Sequence, residues 1–466
     1  MSTAGGVMRR RSPDRRGRAR FKATQSQPTT IATMSELDSA AGLEAWSIGT
    51  GWMLLIVPAR YTAGPPHRFR RHVRRPRRAM AGTASIPDAS ARLIIRSVRA
   101  FAVAALATAL LLASHASAAS ARTSSPRALL AALVHKGAPG VVALVRNGDQ
   151  VHTFAAGLAD LKLRRSMQPA LRFRVGSLSK PVVATLVLEL VAQQRLRLSD
   201  TVARWLPGLI PAGARITVKE LLQHRSGLFN YTNELIPSLI TGQQPLNYVW
   251  TPHQLVDIAT QHPLDFTPGT RFEYSNTNYI VLGLIVERVT HTGLERYAHQ
   301  TLFGPLRMTS TSFALGRVPG AHAHGYTPLV PPFPAVPGGL GDTEPINGSG
   351  AWAAGSLVTT VADLDRFYHA LFTGRVIPHS LIVLMQAARP SPSIPEIDGY
   401  GLGLAQVSYP CGTTWGHEGT IFGYTAVVAA SRDARKIVVL LINRDLLQPA
   451  LAAASNATLP ALYCGH

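Results

Sequence analysis

The chain has 466 residues and a formal charge of +22, with 47 Lys and Arg against 25 Asp and Glu, a balance that invites a nucleic-acid partner. The placement of the charge excludes one. Residues 1–118 carry 19 Lys and Arg against 5 Asp and Glu, whereas the longer remainder carries 28 against 20, so a basic leader precedes a moderately basic globular part with no concentrated phosphate-binding face.

Residues 1–78 are rich in Arg and Pro and lack sustained hydrophobic periodicity. A secretory signal pattern follows them: Arg92, Arg96 and Arg99, then the apolar run Ala100 to Ala113, then Ala116-Ser117-Ala118 as a small-residue cleavage site. Cleavage after Ala118 and export to the extracellular or cell-wall space are the expectation, with an uncleaved anchor as the alternative. The run is too short to span a bilayer comfortably, so no stable membrane span is expected after processing. A signal does not begin about ninety residues into a chain, so Met80 is the expected start. On that reading residues 1–79 are not made; a disordered cytoplasmic arm is the alternative. The region 80–118 is then the signal segment, and 119–466 the mature domain.

In the mature part Ser125-Pro126, an N-cap followed by a first-turn proline, opens a helix through Val134. Gly140 to Arg146 and Gln150 to Ala156 read as strands around a turn at Asn147-Gly148. A mostly helical middle follows, with capping boxes at Thr217-Val-Lys-Glu220 and Thr251-Pro-His-Gln254 and an apolar helix from Asn276 to Val289. Residues 314–350, rich in Gly and Pro, read as long loops, and Thr360 caps a helix closing at Gly374. Gly423 to Ser431 and Lys436 to Asn443 are strands, and Pro449 to Leu462 a closing helix. Strands at both ends with helices between predict an α+β fold. An antiparallel sheet built from both chain ends is flanked by helices, with an all-α part at about residues 200–345 inserted in the middle. Cys411 and Cys464 are the two cysteines, and in an exported chain such a pair reads as a disulfide contributing about 3–4 kcal/mol, two buried thiols being the alternative.

Three stretches carry candidate chemistry. In FRVGSLSK (173–180), Ser177 and Lys180 stand three apart at a helix start, on one face, with apolar residues behind them to keep water from the amine. A desolvated lysine can take the proton of a serine hydroxyl and make it nucleophilic, although Ser-x-x-Lys alone also fits an exposed helix start. Ser179, adjacent to Lys180, cannot face it. In Tyr274-Ser275-Asn276 a phenol can pass a proton to a leaving group and an amide can hold substrate and lysine together, while a core tyrosine beside an Asn or Ser helix cap is the plainer alternative. In Trp415-Gly-His417-Glu418-Gly419-Thr420, glycines flanking an edge strand let a substrate backbone approach, and the Thr420 N–H could join that of Ser177 as an oxyanion hole; a turn before a strand is the alternative. A zinc motif is excluded there, because Ile421 stands where H-E-x-x-H needs its second histidine.

Together and in this order, the three stretches resemble the serine β-lactamase and penicillin-binding-protein superfamily, with its Ser-x-x-Lys, Tyr-x-Asn and His/Lys-x-Gly signature. The likeness is closest to soluble, secreted D-alanyl-D-alanine carboxypeptidases. It also rests on ITVKELLQHRSGL (216–228), YTN (231–233), YSNTNY (274–279), GYGLGL (399–404) and GHEGTIFGY (416–424), and the cysteine pair is similarly placed. The resemblance implies an acyl-enzyme mechanism with Ser177 as nucleophile, Lys180 as base and Tyr274 as proton donor. Asn276, His417, Gly419 and Thr420 would bind substrate. No metal or organic cofactor is implied. The implied partners are a peptidoglycan stem peptide or small acyl substrate, with β-lactams as inhibitors and a monomer as the expected state. Two positions depart from the pattern: Glu418 stands where relatives have threonine, and Ala405 where the closest ones have arginine. An added anion and a lost cation each oppose binding of a peptide carboxylate by roughly 1 kcal/mol or more if partly buried. An esterase, amidase or β-lactamase of the same superfamily, or a penicillin-recognising module without turnover, are the alternatives to a carboxypeptidase.

Overall fold

The computed structural model describes residues 125–465; the leader, the signal region and the cleavage site predicted above lie outside them. The main sheet has eight strands: β1 (Gly140–Asn147), β2 (Gln150–Asp160), β3 (Arg165–Ser166), β4 (Gly399–Tyr400), β5 (Ala405–Tyr409), β6 (Gly412–Ile421), β7 (Tyr424–Ala430) and β8 (Lys436–Ile442). Their order is β4-β5-β6-β7-β8-β1-β2-β3, and every pairing is antiparallel. The two ends of the described chain thus meet at the centre, where β1 pairs with β8. Asn147 pairs with Gln150, so the hairpin turn is Gly148-Asp149, one residue later than predicted, with Gly148 at φ 60°. A glycine takes that left-handed conformation without steric cost.

Alternate residues of the central strands serve two different cores. Val141, Ala143 and Val145 of β1, with Val438 and Leu440 of β8, pack with Leu130 and Leu133 of helix α1 (Pro126–His135) and with Leu451, Leu459 and Leu462 of a C-terminal helix, Pro449–Cys464. Val142, Leu144, Val439 and Leu441 face the other way, into a larger cluster with the helices between the chain ends. This double burial explains why both strands read as near-continuous apolar runs.

The helical side holds α2 (Ser179–Ala192), α3 (Val218–Leu222), α4 (Thr232–Ile240), α5 (Pro252–Thr260), α6 (Thr277–Thr290), α7 (Trp352–Gly355) and α8 (Val361–Phe372), and the C-terminal helix is α9. Helix α2 is apolar on all sides because it is buried on all sides, and it packs on α6. Both predicted capping boxes form, at Thr217 with Glu220 and at Thr251 with Gln254. Residues 314–350 are largely irregular, with a small sheet of Tyr326–Thr327, Ala335–Val336 and Leu340–Asp342. Among the described residues no helix is long and apolar enough to cross a membrane.

Cys411, in the β5–β6 turn, is bonded to Cys464 at the end of α9, with a Cα separation of 5.5 Å. The bridge closes a loop of 53 residues, which in the chain-entropy model contributes about 4 kcal/mol. Replacing both cysteines by alanine is expected to lower the melting temperature by several degrees, read by thermal unfolding, while hydrolytic activity at 25 °C persists because neither residue reaches the site described next.

Candidate active site

The site begins with a short strand, Phe173–Arg174, that pairs with Leu357–Thr359 and delivers the chain to a single 3₁₀ turn, Gly176–Leu178. Ser177 sits in this turn and α2 starts at Ser179, so the nucleophile precedes the regular helix and does not lie within it. The turn still brings Ser177 Oγ to 2.8 Å from Lys180 Nζ. Ser179 faces away: its hydroxyl donates to Gly176 O at 2.8 Å and accepts from Leu357 N at 3.0 Å, locking the turn.

Lys180 is fully buried, and burial holds its amine well below the ordinary lysine range. Its nitrogen also lies 2.8 Å from Asn276 Oδ1 and 2.8 Å from Ala354 O. A neutral amine has two hydrogens and one lone pair. With the hydrogens given to those two acceptors, the lone pair is left for the Ser177 hydroxyl, which is the arrangement a general base needs. Tyr274 donates its hydroxyl to Ser177 Oγ at 3.0 Å, and burial pushes the phenol far above its ordinary range, so it keeps its proton for a leaving group.

Asn276 occupies the N-cap position of α6 but makes no capping bond. The helix-cap alternative is therefore set aside. Its Oδ1 serves Lys180, and its Nδ2 faces Asn230 Oδ1 at 3.3 Å and Thr232 Oγ1 at 3.2 Å. With its amide hydrogens engaged by the protein, Asn276 positions the lysine, and for a substrate it offers a remaining oxygen lone pair.

The third stretch lies on β6. The sequence placed it at an edge strand, whereas in sheet order β6 is interior, between β5 and β7. The edge nevertheless opens locally, because pairing with β5 ends at Gly416 while pairing with β7 continues through Ile421. The turn carrying Ser177 fills that open edge. A Cβ on Gly419 would stand 2.0 Å from Val175 O and 3.0 Å from Ser177 N, and one on Gly176 3.1 Å from Thr420 N. Two glycines thus bring the Ser177 and Thr420 main chains together as an oxyanion site requires. Thr420 contributes through its backbone, its side chain being exposed.

Register also decides the faces of β6. His417 pairs with Val428, which packs in the helical-side cluster with Leu178, Val182 and Val183 from the turn and helix of the nucleophile, and Glu418 pairs with Val427, which packs on the α9 side. Cross-strand partners share a face, so Glu418 points to the opposite side of the sheet from the nucleophile. There it adds to the burial that pushes the Tyr409 phenol up to about 12. The side chain is thus turned away from the nucleophile, while burial and, to a smaller extent, the charge of Glu418 raise the Tyr274 phenol. His417 is buried, and burial with nearby Lys180 pushes its imidazole down to about 3. As a neutral ring it donates from Nδ1 to Glu418 O and accepts at Nε2 from Tyr400 OH at 2.9 Å. Both nitrogens being used, His417 shapes the wall of the site and holds the strand end.

Sequence reasoning assigned no role to His224, which lies within the HRSGL part of a stretch noted above. Its ring stacks on Tyr274 with centroids 4.1 Å apart, and Nδ1 accepts from Ser275 N at 3.2 Å and Asn278 Nδ2 at 3.1 Å. Burial, with Lys180 nearby, holds it neutral. His224→Ala removes the platform under the proton donor and orphans two buried donors. A fall in kcat/KM of about 10- to 100-fold with little change in KM is expected from steady-state kinetics, since small misplacement of a reacting group costs on that scale. An unaltered kcat would show that the stacking does not position Tyr274.

This geometry supports acyl transfer. Lys180 is placed to take the Ser177 proton as Oγ adds to a carbonyl, the Ser177 and Thr420 N–H groups to hold the oxyanion, and Tyr274 to protonate the departing group. Comparisons agree. The family model described as Beta-lactamase matches residues 126–461. The "Putative penicillin-binding protein PbpX" of Bacillus subtilis (strain 168) is 27% identical over 312 residues, covering 66% of this chain and 71% of that protein. The "Esterase EstB" of Burkholderia gladioli is 36% identical over 185 residues, 37% of this chain and 47% of the esterase. Among solved structures, a D-stereospecific amidohydrolase from Streptomyces sp. superposes with a TM-score of 0.65 at 33% identity, covering 73% of this chain and 98% of the other. With the Ser177–Lys180–Tyr274 constellation assembled on this sheet and the family model spanning the described domain, the chain belongs to the beta-lactamase family, the superfamily of serine β-lactamases and penicillin-binding proteins.

Proposed function

We propose that the protein hydrolyses neutral acyl compounds, amides or esters with an apolar side group, through an acyl-enzyme on Ser177. The observation that carries this reading is the lining of the cavity at Ser177. Leu235, Leu239, Ile346, Ile394 and Ile397 line it, together with Glu396, and no lysine or arginine is among its lining residues. Beside Tyr274, where the leaving group departs, Ala405 packs with Phe272, Ile394 and Tyr400 in an apolar cluster. A carboxylate-terminated peptide would find no arginine or lysine on that wall. A missing charge-assisted bond of this kind weakens binding by about 1.5–3 kcal/mol, or roughly 10- to 100-fold. An amide or ester leaving group needs no such partner, and the likeness to the esterase and the amidohydrolase supports the same reading.

A D-alanyl-D-alanine carboxypeptidase of exported type is the second reading. The penicillin-binding relative favours it, and so does the outward placement of Glu418; the signal pattern at 92–118 is the basis for proposing export. The test compares three substrates: a D-amino acid amide, a nitrophenyl ester and an acyl-D-Ala-D-Ala peptide, each with wild type and Ser177→Ala. Ammonia or nitrophenol release at a kcat/KM at least about 10-fold above D-alanine release is expected. Faster D-alanine release, with a stable benzylpenicillin adduct by intact mass, would establish the carboxypeptidase instead.

A further inference from the structure

Away from the nucleophile, the irregular stretch after residue 314 brings two histidines and three carboxylates together. His322 and His324 stand two residues apart with their rings stacked, centroids 5.3 Å apart and planes 4° from parallel. Glu344 and Asp342 come from the small sheet and its exit, and Asp160 from the end of β2. Donor atoms of His322, His324 and Glu344 all lie within 4.8 Å of one another, and all three residues are half-buried.

The hydrogen-bond bookkeeping of the cluster asks for cations. His322 donates from Nδ1 to Gly320 O at 2.8 Å, so a neutral ring turns its lone pair, Nε2, toward Glu344 Oε2 at 3.1 Å. Two lone pairs at that distance need a proton or a metal ion between them. His324 has a carboxylate at each nitrogen, Asp342 at 3.2 Å from Nδ1 and Asp160 at 3.8 Å from Nε2. One divalent ion among the stacked rings and the carboxylates gives these facing lone pairs a shared partner. The surroundings are also those of a ligand set: one ring is oriented by a backbone carbonyl at its far nitrogen, and the other by a carboxylate whichever nitrogen binds.

We propose that His322, His324 and Glu344 bind one divalent transition-metal ion of the zinc class, with Asp342 or Asp160 orienting the His324 ring. Zinc bonds of about 2.0–2.2 Å set donors roughly 3.4 Å apart, so the side chains draw in by about 1 Å on binding. Binding displaces any proton held between ring and carboxylate, since imidazole ligates as the neutral base. The ion acts structurally. It ties the His322–His324 segment to Glu344 at the exit of the small sheet.

The test uses the full chain, stripped with a chelator and titrated with zinc chloride by calorimetry and thermal melting, with magnesium chloride in parallel. One zinc per chain and a raised melting temperature are expected, with no response to millimolar magnesium, because two imidazoles disfavour a hard oxygen-seeking ion. His322→Ala and His324→Ala should each weaken zinc binding by roughly 100-fold. Should those variants fail to fold, Glu344→Gln, which keeps shape and volume, should still lose at least about 10-fold. No stoichiometric zinc, or zinc binding unchanged in these variants, would overturn the proposal and leave the cluster as ion pairs only.

Discussion

Ser177→Ala is expected to lower hydrolysis of any substrate by roughly 10⁴-fold or more and to prevent every covalent adduct, while the melting temperature stays within a few degrees of wild type. On the proposed mechanism the hydroxyl forms the acyl bond, and nucleophile and base act as a unit, so removing either costs nearly as much as removing both. Lys180→Ala should therefore fall to a similar floor. The pH dependence carries a sign that identifies the base. Lys180 must be neutral to accept the proton, and burial holds its pKa well below the ordinary lysine range. The amine is then deprotonated above its lowered pKa and charged below it, so kcat/KM should rise with pH through that value and be lost on acidification. His417, already pushed down to about 3, contributes no limb near neutrality. A rate profile in which His417→Gln moves the acid limb would remove Lys180 from the role of base. An adduct on the Ser177→Ala variant, seen by intact mass, would remove Ser177 from the role of nucleophile.

Gly419→Ala is expected to abolish at least about 99% of activity with a change of a single methyl group. The added Cβ would stand 2.0 Å from Val175 O and 3.0 Å from Ser177 N, and both contacts are main chain, so no side chain can swing aside. Either β6 or the 3₁₀ turn must move, and the two N–H groups that would hold the oxyanion separate. Loss of one such donor alone costs about 10²- to 10³-fold in kcat. Thr420→Ala is the contrasting variant. It keeps the backbone N–H and removes an exposed side chain, so kcat/KM should stay within about threefold. Equal losses in the two variants would mean that the threonine hydroxyl, not the strand's close approach, supports the reaction. A wild-type rate in Gly419→Ala would contradict the packing of the turn against β6.

Most of the regular structure was legible from local chemistry. Caps at Ser125, Thr217, Thr251 and Thr360 are written in a few adjacent residues, and all four accept the expected backbone N–H. The apolar runs of β1, β7 and β8 declared strands, and the three candidate stretches stood out by residue type and spacing. Strands β5 and β6 were harder, because β6 carries three glycines and mixed polarity and owes its conformation to its neighbours on either side.

The groups proposed to react were legible locally: a serine and a lysine one turn apart, a tyrosine at the mouth of an apolar helix, and glycines where two main chains must touch. Tertiary structure alone decided what surrounds them. Lys180 is held by Ala354 O from 174 residues away, and the Tyr274–Asn276 segment is braced by His224 through Ser275, 51 residues away. The strand pattern requires His417 and Glu418 to point to opposite faces but does not say which faces Ser177; the register of β6 on β7 does. The physical reason is range. Caps and periodicity act across a few residues, whereas burial, register and the lowered basicity of a lysine come from contacts between segments that meet only once the chain has folded.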